Sequence, residues 1–158
     1  MSEDIRIRAA VAADAPAIAD LVALLQHAEG VRHDITTDYV EGFVEPEGET
    51  APGVPSSGAL VAEAGDSGGV VGVISWVVCA DLFHGGPSAM IKELVLDEAW
   101  RGYGIGGMLL DAALEHLDEQ DCVEVAVTTG VDNDRARYVY RTHGFDYEGV
   151  LMERHKPE

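Results

Sequence analysis

Apolar and polar residues follow two rhythms along the chain, which predict a mixture of strands and helices. Residues 5–8 alternate apolar and charged positions, a pattern typical of a half-buried strand. Apolar residues recur at helical spacing over 18–25, directly after a helix-start signal at 14–16. The same reasoning predicts further strands at 59–64, 70–78, 90–96, 123–127 and 145–152, and helices at 36–45, 104–119 and 133–142.

The order of these elements indicates one mixed α/β (α+β) domain built around a single sheet. The predicted strands begin as antiparallel neighbours and end in strand–helix–strand units. The chain has 158 residues, a length typical of one domain. The segment 46–58 is rich in Pro and Gly but is too short to link two domains, so we expect a surface loop there.

Acidic residues outnumber basic ones along the whole chain. Asp and Glu total 29 against 10 Lys and Arg, which gives a formal net charge of -19. A nucleic-acid-binding protein must neutralise phosphates with Lys and Arg, so this charge argues against nucleic-acid partners and against anionic membrane surfaces. No run reaches the roughly 18 apolar residues of a membrane span, and the acidic start resembles no secretion signal. We therefore expect a cytoplasmic protein without a membrane partner.

The acidity also suggests that the protein works in concentrated salt. Acidic residues are spread along the chain rather than collected in a tail, a pattern that resembles halophilic proteins of salt-accumulating cells. Concentrated salt would relieve the self-repulsion of such a surface, since the Debye length falls to about 3 Å at about 1 M. An ordinary acidic protein is the alternative.

The two cysteines point to a reducing compartment. Cys79 and Cys122 each lie inside an apolar stretch, so we expect buried free thiols rather than a disulfide. No set of Cys, His and carboxylate residues has the spacing of metal ligands, so we expect no metal.

A glycine-rich segment carries the strongest chemical signal. Residues 101–107 read RGYGIGG, follow a predicted strand and open a predicted amphipathic helix. Glycines let the backbone approach a ligand closely, and the helix N-terminus adds partial positive charge. Together they predict a site for a pyrophosphate.

Two common nucleotide-binding motifs do not fit this segment. Five residues, 97–101, separate the strand from the glycines, whereas a Rossmann strand runs almost directly into them. About 50 residues follow, too few to complete a doubly wound sheet. A Walker loop would need Gly-Lys-Ser/Thr, which the segment lacks.

Two segments resemble the signatures of the GNAT superfamily of N-acetyltransferases. Residues 94–106 (LVLDEAWRGYGIG) resemble its acyl-CoA motif, in which Arg/Gln-x-x-Gly-x-Gly/Ala follows a strand and opens a helix. Residues 133–145 (NDRARYVYRTHGF) resemble its second motif, Asn-x-x-Ala-x-x-x-Tyr-x-x-x-Gly-Phe. The resemblance implies a GNAT-like domain over residues 5–157, with a mixed, mostly antiparallel sheet of six to seven strands and about four helices.

The resemblance also implies how acetyl-CoA is held. The pantetheine arm would bond the backbone of the strand at Leu94, Val95 and Leu96, residues that would otherwise be plain core. Asn133 would contact CoA, or serve only as a helix N-cap. The pyrophosphate would lie on the glycine loop, formed by Arg101, Gly102, Tyr103, Gly104, Ile105, Gly106 and Gly107.

Two catalytic residues are implied in the same way. Tyr140 occupies the motif position of the family's tyrosine, which lies beside the cofactor and protonates the departing CoA thiolate. The alternative role of Tyr140 is simple packing. Glu93 lies on the strand where members of the family often have a carboxylate that accepts the amine proton. The alternative is that Glu93 is an ion-paired surface carboxylate. His84, in the loop before this strand, is a second candidate base.

The function implied is an acetyl-CoA-dependent N-acetyltransferase in which a primary amine attacks the thioester directly in a ternary complex. The amine would belong to a small molecule or a protein. Whether the chain forms a homodimer is left open. Segment 27–45 and the loop after 74–78 are expected to form the acceptor pocket, where their carboxylates would attract a cationic amine. A non-catalytic acyl-CoA sensor and an acyltransferase with another acyl group or acceptor are the alternatives.

Overall fold

Five strands form one sheet within residues 4–46, 57–66 and 69–157, the parts of the chain that a computed structural model describes. The strands, in spatial order, are β1 Ile5–Ala9, β2 Gly58–Ala64, β3 Val70–Asp81, β4 Gly86–Leu96 and β5 Glu124–Val127. The helices are α1 Ala15–Ala28, α2 Thr37–Val44, α3 Ile105–Glu119 and α4 Asp134–Thr142.

The strand directions confirm the predicted mixed sheet. Pairing is antiparallel from β1 through β4 and parallel between β4 and β5. A parallel pair needs a crossover connection, which α3 supplies. None of the described helices combines the length and the apolar character that a membrane crossing requires.

The prediction of a last strand at 145–152 is wrong. The sheet of the described residues has five strands rather than six to seven. Glu148 is bound by Arg137 at 2.9 Å and by Arg141 at 2.9 Å, so this segment is tied to α4 rather than to β5. Its alternating residues are not buried either, since Tyr147 is 89% exposed. The local pattern of a strand is present, but the described structure pairs it with no other strand.

The hairpin between β3 and β4 is tighter than the predicted loop at 81–88. The two strands are paired as far as Asp81 and Gly86, which leaves a turn at 82–85. The Asp81 carboxylate accepts hydrogen bonds from the backbone N–H groups of Phe83 and His84, at 3.0 and 3.2 Å, and these bonds close the turn. Residues 47–56 of the other predicted loop lie outside the described residues.

Apolar side chains are buried on both faces of the sheet. One core cluster joins the sheet to α3 and includes Ile91 and Leu109. The other joins the sheet to α1 and α2 and includes Val73 and Val95. These two clusters identify the face to which each neighbouring residue of β3 and β4 points.

The cysteines are free, as expected, but they are not buried as expected. Cys79 is exposed, because β3 extends beyond the core at this end. Cys122 is half-buried, and burial raises the pKa of its thiol, with a further contribution from Asp118 and Asp121.

One extra residue in β4 breaks its alternation. Ser75 of β3 is paired with Glu93, but its neighbour Trp76 is paired with Ile91, so Lys92 forms a bulge. Neighbouring residues of β3 point to opposite faces, and their partners must do the same. Ile91 is buried in the α3 core, whereas Glu93 points to the face covered by α1 and α2.

Candidate active site

The glycine loop follows a short 3-10 helix, Glu98–Trp100, at the end of β4 and leads into the start of α3. Gly102 and Gly104 have φ of +87° and +79°, a left-handed conformation that favours glycine. Apart from the adjoining residues, no atom of the described chain lies within 4 Å of the position that a Cβ would take at either residue. Tyr103, between them, is 76% exposed. The loop therefore presents its backbone to solvent.

The first turn of α3 presents unused backbone donors. Met108 is the first residue whose N–H bonds back to the loop, to the carbonyl of Gly104 at 3.1 Å. The N–H groups of Ile105, Gly106 and Gly107 precede this bond, and no described side chain caps them. This positive end of the helix can bind an anion, as the glycine motif predicts.

Arg101 supports the loop. Its Nε and Nη2 atoms donate hydrogen bonds, both at 3.4 Å, to the carbonyl of Leu96, the last residue of β4. The guanidinium thus ties the beginning of the loop back to the strand. Arg101 is exposed, so its remaining N–H donors can also reach a phosphate.

β4 has an open backbone edge over its last residues, shortly before the loop. β5 pairs only with Ser88–Ile91 of β4, so the following residues, including Leu94, Val95 and Leu96, have a strand partner on the β3 side alone. Their side chains pack into the two cores, but no described strand covers their outer edge. An extended ligand with amide groups can bond to such an edge, as a further strand would.

Glu93 lies on the α1/α2 face and contacts a serine. The Ser75 hydroxyl donates a hydrogen bond to Oε2 of Glu93 across the β3–β4 pair. Ser75 is 6% exposed, while Glu93 is half-buried. Ser75 was not singled out from the sequence, although a hydroxyl inside the apolar run of 70–78 was the available signal.

Tyr140 projects from α4 into the α3 core. Its ring packs against Phe145, with 5.6 Å between centroids, and it is half-buried. Burial raises the pKa of the Tyr140 phenol, so the hydroxyl stays protonated across the physiological range. Tyr138, two residues earlier, is 69% exposed.

Asn133 caps α4. Its side-chain oxygen accepts a hydrogen bond from the N–H of Ala136 at 3.2 Å, which is the helix-cap role held as an alternative. The C-terminal end of the same helix approaches the glycine loop. The His143 ring lies 3.9 Å from the position of a Cβ on Gly107, and its Nε2 lies 3.1 Å from Asp111 of α3. These contacts place α4 beside the first half of α3.

His84 lies at the other end of β4 from the glycine loop. Its Nδ1 is 2.7 Å from Asp81 and its Nε2 is 2.5 Å from Glu124. The hydrogen bond to Asp81 raises the pKa of His84, and the same bond lowers the pKa of Asp81 to about 2. From β4's first residue to Glu93 the strand runs about 20 Å, so His84 is far from Glu93.

Sequence spacing did not indicate this group, because Glu124 comes from a distant strand. Asp81, His84 and Glu124 each offer a ligand atom, and these atoms lie within 4.8 Å of one another. Both ring nitrogens of His84 already face a carboxylate, which is the arrangement of a charged imidazole paired twice.

A surface cavity of about 480 Å³ lies where α1 leads into the segment before α2. It falls mainly in 27–45, one of the two segments expected to form the acceptor pocket, while the loop after 74–78 does not line it. The carboxylates of 27–45 suggested an acidic pocket. The cavity instead has a mixed lining, because His27, Arg32 and His33 line it together with Asp34.

Comparison with known protein families identifies the family to which the chain belongs. A profile of the acetyltransferase (GNAT) family matches residues 28–145, which is most of the chain. The chain belongs to the GNAT family. No curated protein sequence gives a significant match.

Solved structures share the GNAT fold over nearly the whole chain. Glucosamine-6-phosphate N-acetyltransferase from Arabidopsis thaliana has 20% identity and a TM-score of 0.78, over 97% of this chain and 99% of that chain. An aminoglycoside acetyltransferase from an uncultured soil metagenomic sample has 19% identity and a TM-score of 0.75, over 98% and 96%. Ribosomal-protein-alanine N-acetyltransferase from Brucella melitensis biovar Abortus 2308 has 17% identity and a TM-score of 0.71, over 96% and 100%.

Proposed function

We propose that this GNAT protein is an acetyl-CoA-dependent N-acetyltransferase that acts on a primary amine. The observation that carries the proposal is the open edge of β4, which is followed by the glycine loop after one short turn at Glu98–Trp100. An extended arm ending in a pyrophosphate has the shape that this pair of features can bind. Acetyl-CoA has that shape and is the acyl donor of the GNAT family.

The chain would hold acetyl-CoA mainly through its backbone. The amides of the glycine loop and the first turn of α3 would bind the pyrophosphate, with Arg101 holding the loop in place. The pantetheine amides would bond to the open edge at 94–96. An edge N–H of β4 would also polarise the thioester carbonyl, which lowers the energy of the oxyanion formed during attack.

Glu93 would accept a proton from the incoming amine. An ammonium must lose a proton before its nitrogen can attack the thioester carbon, and a carboxylate in reach can take it directly or through water. The bulge at Lys92 turns Glu93 toward the α1/α2 face, so the acceptor would approach from that side. The cavity lined by Arg32 and Asp34 is on the segment that joins these two helices.

Tyr140 would protonate the leaving group. As the new C–N bond forms, the nitrogen releases its second proton to solvent. As the C–S bond breaks, the sulfur leaves as a thiolate and takes the phenol proton, which the tyrosine recovers from solvent. Burial raises the pKa of Tyr140 and would raise that of a thiolate formed beside it, so the two remain matched. The products are the acetylated amine and CoA thiol.

The acceptor is best found with a panel of amines. The structural relatives act on an aminoglycoside, on the alanine of a ribosomal protein and on glucosamine 6-phosphate, according to their names. The mixed charge of the cavity supports including acceptors that carry an anionic group as well as an amine. Free thiol is measured with acetyl-CoA and each amine, and the products are identified by mass spectrometry.

Each outcome of this assay separates the proposal from its alternatives. Thiol release that depends on the amine, with a product heavier by one acetyl group on nitrogen, supports N-acetyl transfer. An acylated oxygen, or release only with a longer acyl-CoA, favours another acyltransferase. Tight binding of acetyl-CoA without release from any amine favours a sensor.

A further inference from the structure

We propose that Ser75 is a positioning residue for the reaction, because it fixes the carboxylate that accepts the amine proton. This inference rests on the proposed function, since it assigns a role relative to Glu93. Ser75 would touch neither substrate. It acts on the reaction only through the hydrogen bond from its hydroxyl to Oε2 of Glu93.

The position of Ser75 is unusual for a polar residue. It interrupts the buried run of β3, between Ile74 at 0% and Trp76 at 2% exposure, and is itself 6% exposed. A buried hydroxyl costs free energy unless it is hydrogen-bonded. Among the described residues, Glu93 is the only side chain to which Ser75 bonds. The hydrogen bond to Glu93 therefore satisfies a buried hydroxyl and is not an incidental surface contact.

The bulge makes this contact possible. If β4 continued without a bulge from Ile91, Ser75 would face Lys92, and Glu93 would lie opposite Ile74 and point to the α3 core. With the bulge, Ser75 and Glu93 are directly paired on the face covered by α1 and α2. Side chains that are directly opposite in an antiparallel pair lie close enough to bond.

The hydrogen bond leaves one carboxylate oxygen for chemistry. Oε2 accepts from Ser75, while Oε1 has no hydrogen-bond donor in the described parts of the chain. Holding one oxygen restricts the rotation of the carboxylate and aims the other. A base that is held in place accepts a proton at a defined geometry, and small displacements of reacting groups cost rate steeply.

Ser75→Ala and Ser75→Thr test this role. Ser75→Ala removes the donor and should lower kcat about 10-fold, with little change in the KM for acetyl-CoA. Ser75→Thr keeps the hydroxyl on a residue that strands tolerate and should recover most of the lost kcat. Ser88→Ala is the matched control, because Ser88 is also a buried strand serine, 8% exposed, and lies away from Glu93. It should leave kcat unchanged.

A double-mutant cycle separates positioning from packing. If Ser75 acts through Glu93, adding Ser75→Ala to Glu93→Gln should cause no further loss of kcat. Multiplicative losses would mean that Ser75 acts independently of Glu93 and would overturn the proposal. So would a Ser75→Ala enzyme with wild-type kcat, or equal losses in the Ala and Thr variants.

The same set of variants keeps this inference distinct from the proposed function. Unchanged activity in Glu93→Gln would remove Glu93 as the base and would take the role of Ser75 with it. Impaired Glu93→Gln together with unimpaired Ser75→Ala would overturn the positioning role alone.

Discussion

Ile91 and Glu93 are two residues apart on β4, yet they point to opposite faces of the sheet. In a regular strand they would share a face, and Glu93 would enter the apolar core beneath α3. The bulge at Lys92 instead directs the carboxylate to the face covered by α1 and α2. The bulge, in place of regular pairing at Lys92, therefore keeps this carboxylate out of the core and makes Glu93 a candidate catalytic residue.

Tyr140→Phe should separate catalysis from binding. The substitution keeps the ring that packs on Phe145 and removes the phenol proton. We expect kcat to fall about 10²–10⁴-fold with little change in acetyl-CoA affinity. Tyr138→Phe is the matched control, because it makes the same change at an exposed position of the same helix. An unchanged kcat in the Tyr140 variant would remove it as the general acid.

Gly104→Ala should weaken acetyl-CoA binding beyond its effect on stability. Alanine at φ of +79° strains the backbone by about 1 kcal/mol and would shift the amides at the start of α3. We expect the Kd of acetyl-CoA to rise about 10-fold by calorimetry. Gly85→Ala provides the control, since Gly85 has a φ of +72° in the distant β3–β4 turn. Equal Kd values in the two variants would show that the loop backbone does not hold the ligand.

His84 should stabilise the fold at low pH more than at high pH. Its pKa is raised, chiefly by the hydrogen bond to Asp81, so its stabilisation is complete below the unfolded value of about 6.5. That stabilisation is lost as the pH rises through the folded pKa. Asp81, with its pKa lowered to about 2, stays ionised throughout this interval.

The measurement is the melting temperature of His84→Gln relative to wild type, at about pH 5.5 and about pH 8.5. The difference should be larger at the lower pH. His155→Gln, in an exposed part of the chain, should show no such trend. A difference that grows as the pH rises would contradict the charged pairing of His84 with Asp81 and Glu124.

Salt should strengthen the binding of CoA. CoA is a polyanion and the chain carries a net charge of -19, so they repel each other at low ionic strength. Exposed carboxylates near the C-terminal end of α3, at Glu115, Asp118 and Glu119, also oppose the helix dipole. Screening reduces this long-range repulsion more than the short contacts of the glycine loop.

The affinity of CoA and the melting temperature should therefore both rise from about 0.1 to about 2 M KCl. An ordinary acidic protein would lose affinity over the same range, as its phosphate contacts are screened. Affinity that falls steadily, without a gain in melting temperature, would remove the high-salt interpretation. It would leave the acetyltransferase proposal intact.

The sequence predicted those parts of the site that depend on neighbouring residues. The glycine loop and α3 form where the motif at 101–107 places them, because turn and helix signals are local. Asn133 caps α4 for the same reason. The order of strands and helices as far as α4 also followed from local periodicity, which changes clearly between strands and helices.

The parts that the sequence did not predict depend on pairing between distant segments. The bulge at Lys92 exists only relative to β3, so neither the face of Glu93 nor its contact with Ser75 could be inferred from β4 alone. The contact of His84 with Glu124 joins two elements separated by α3. The alternation at 145–152 matches that of a strand, but the bonds to Glu148 hold this segment against α4.

Glu93 is the proposed acceptor of the amine proton, on the face covered by α1 and α2. Glu93→Gln keeps the shape of the side chain and can still accept the Ser75 hydrogen bond, but it removes the base. The control is Glu119→Gln, which makes the same change at an exposed position of α3.

The decisive measurement is the pH dependence of kcat/KM for Glu93→Gln, with the amine found in the panel, from about pH 6 to about pH 10. We expect a loss of about 10²-fold near neutral pH, where the amine is protonated and needs a base most. The loss should shrink as the pH approaches the pKa of the amine, while Glu119→Gln follows the wild type throughout. A Glu93→Gln profile that overlays that of the wild type at every pH would contradict the account.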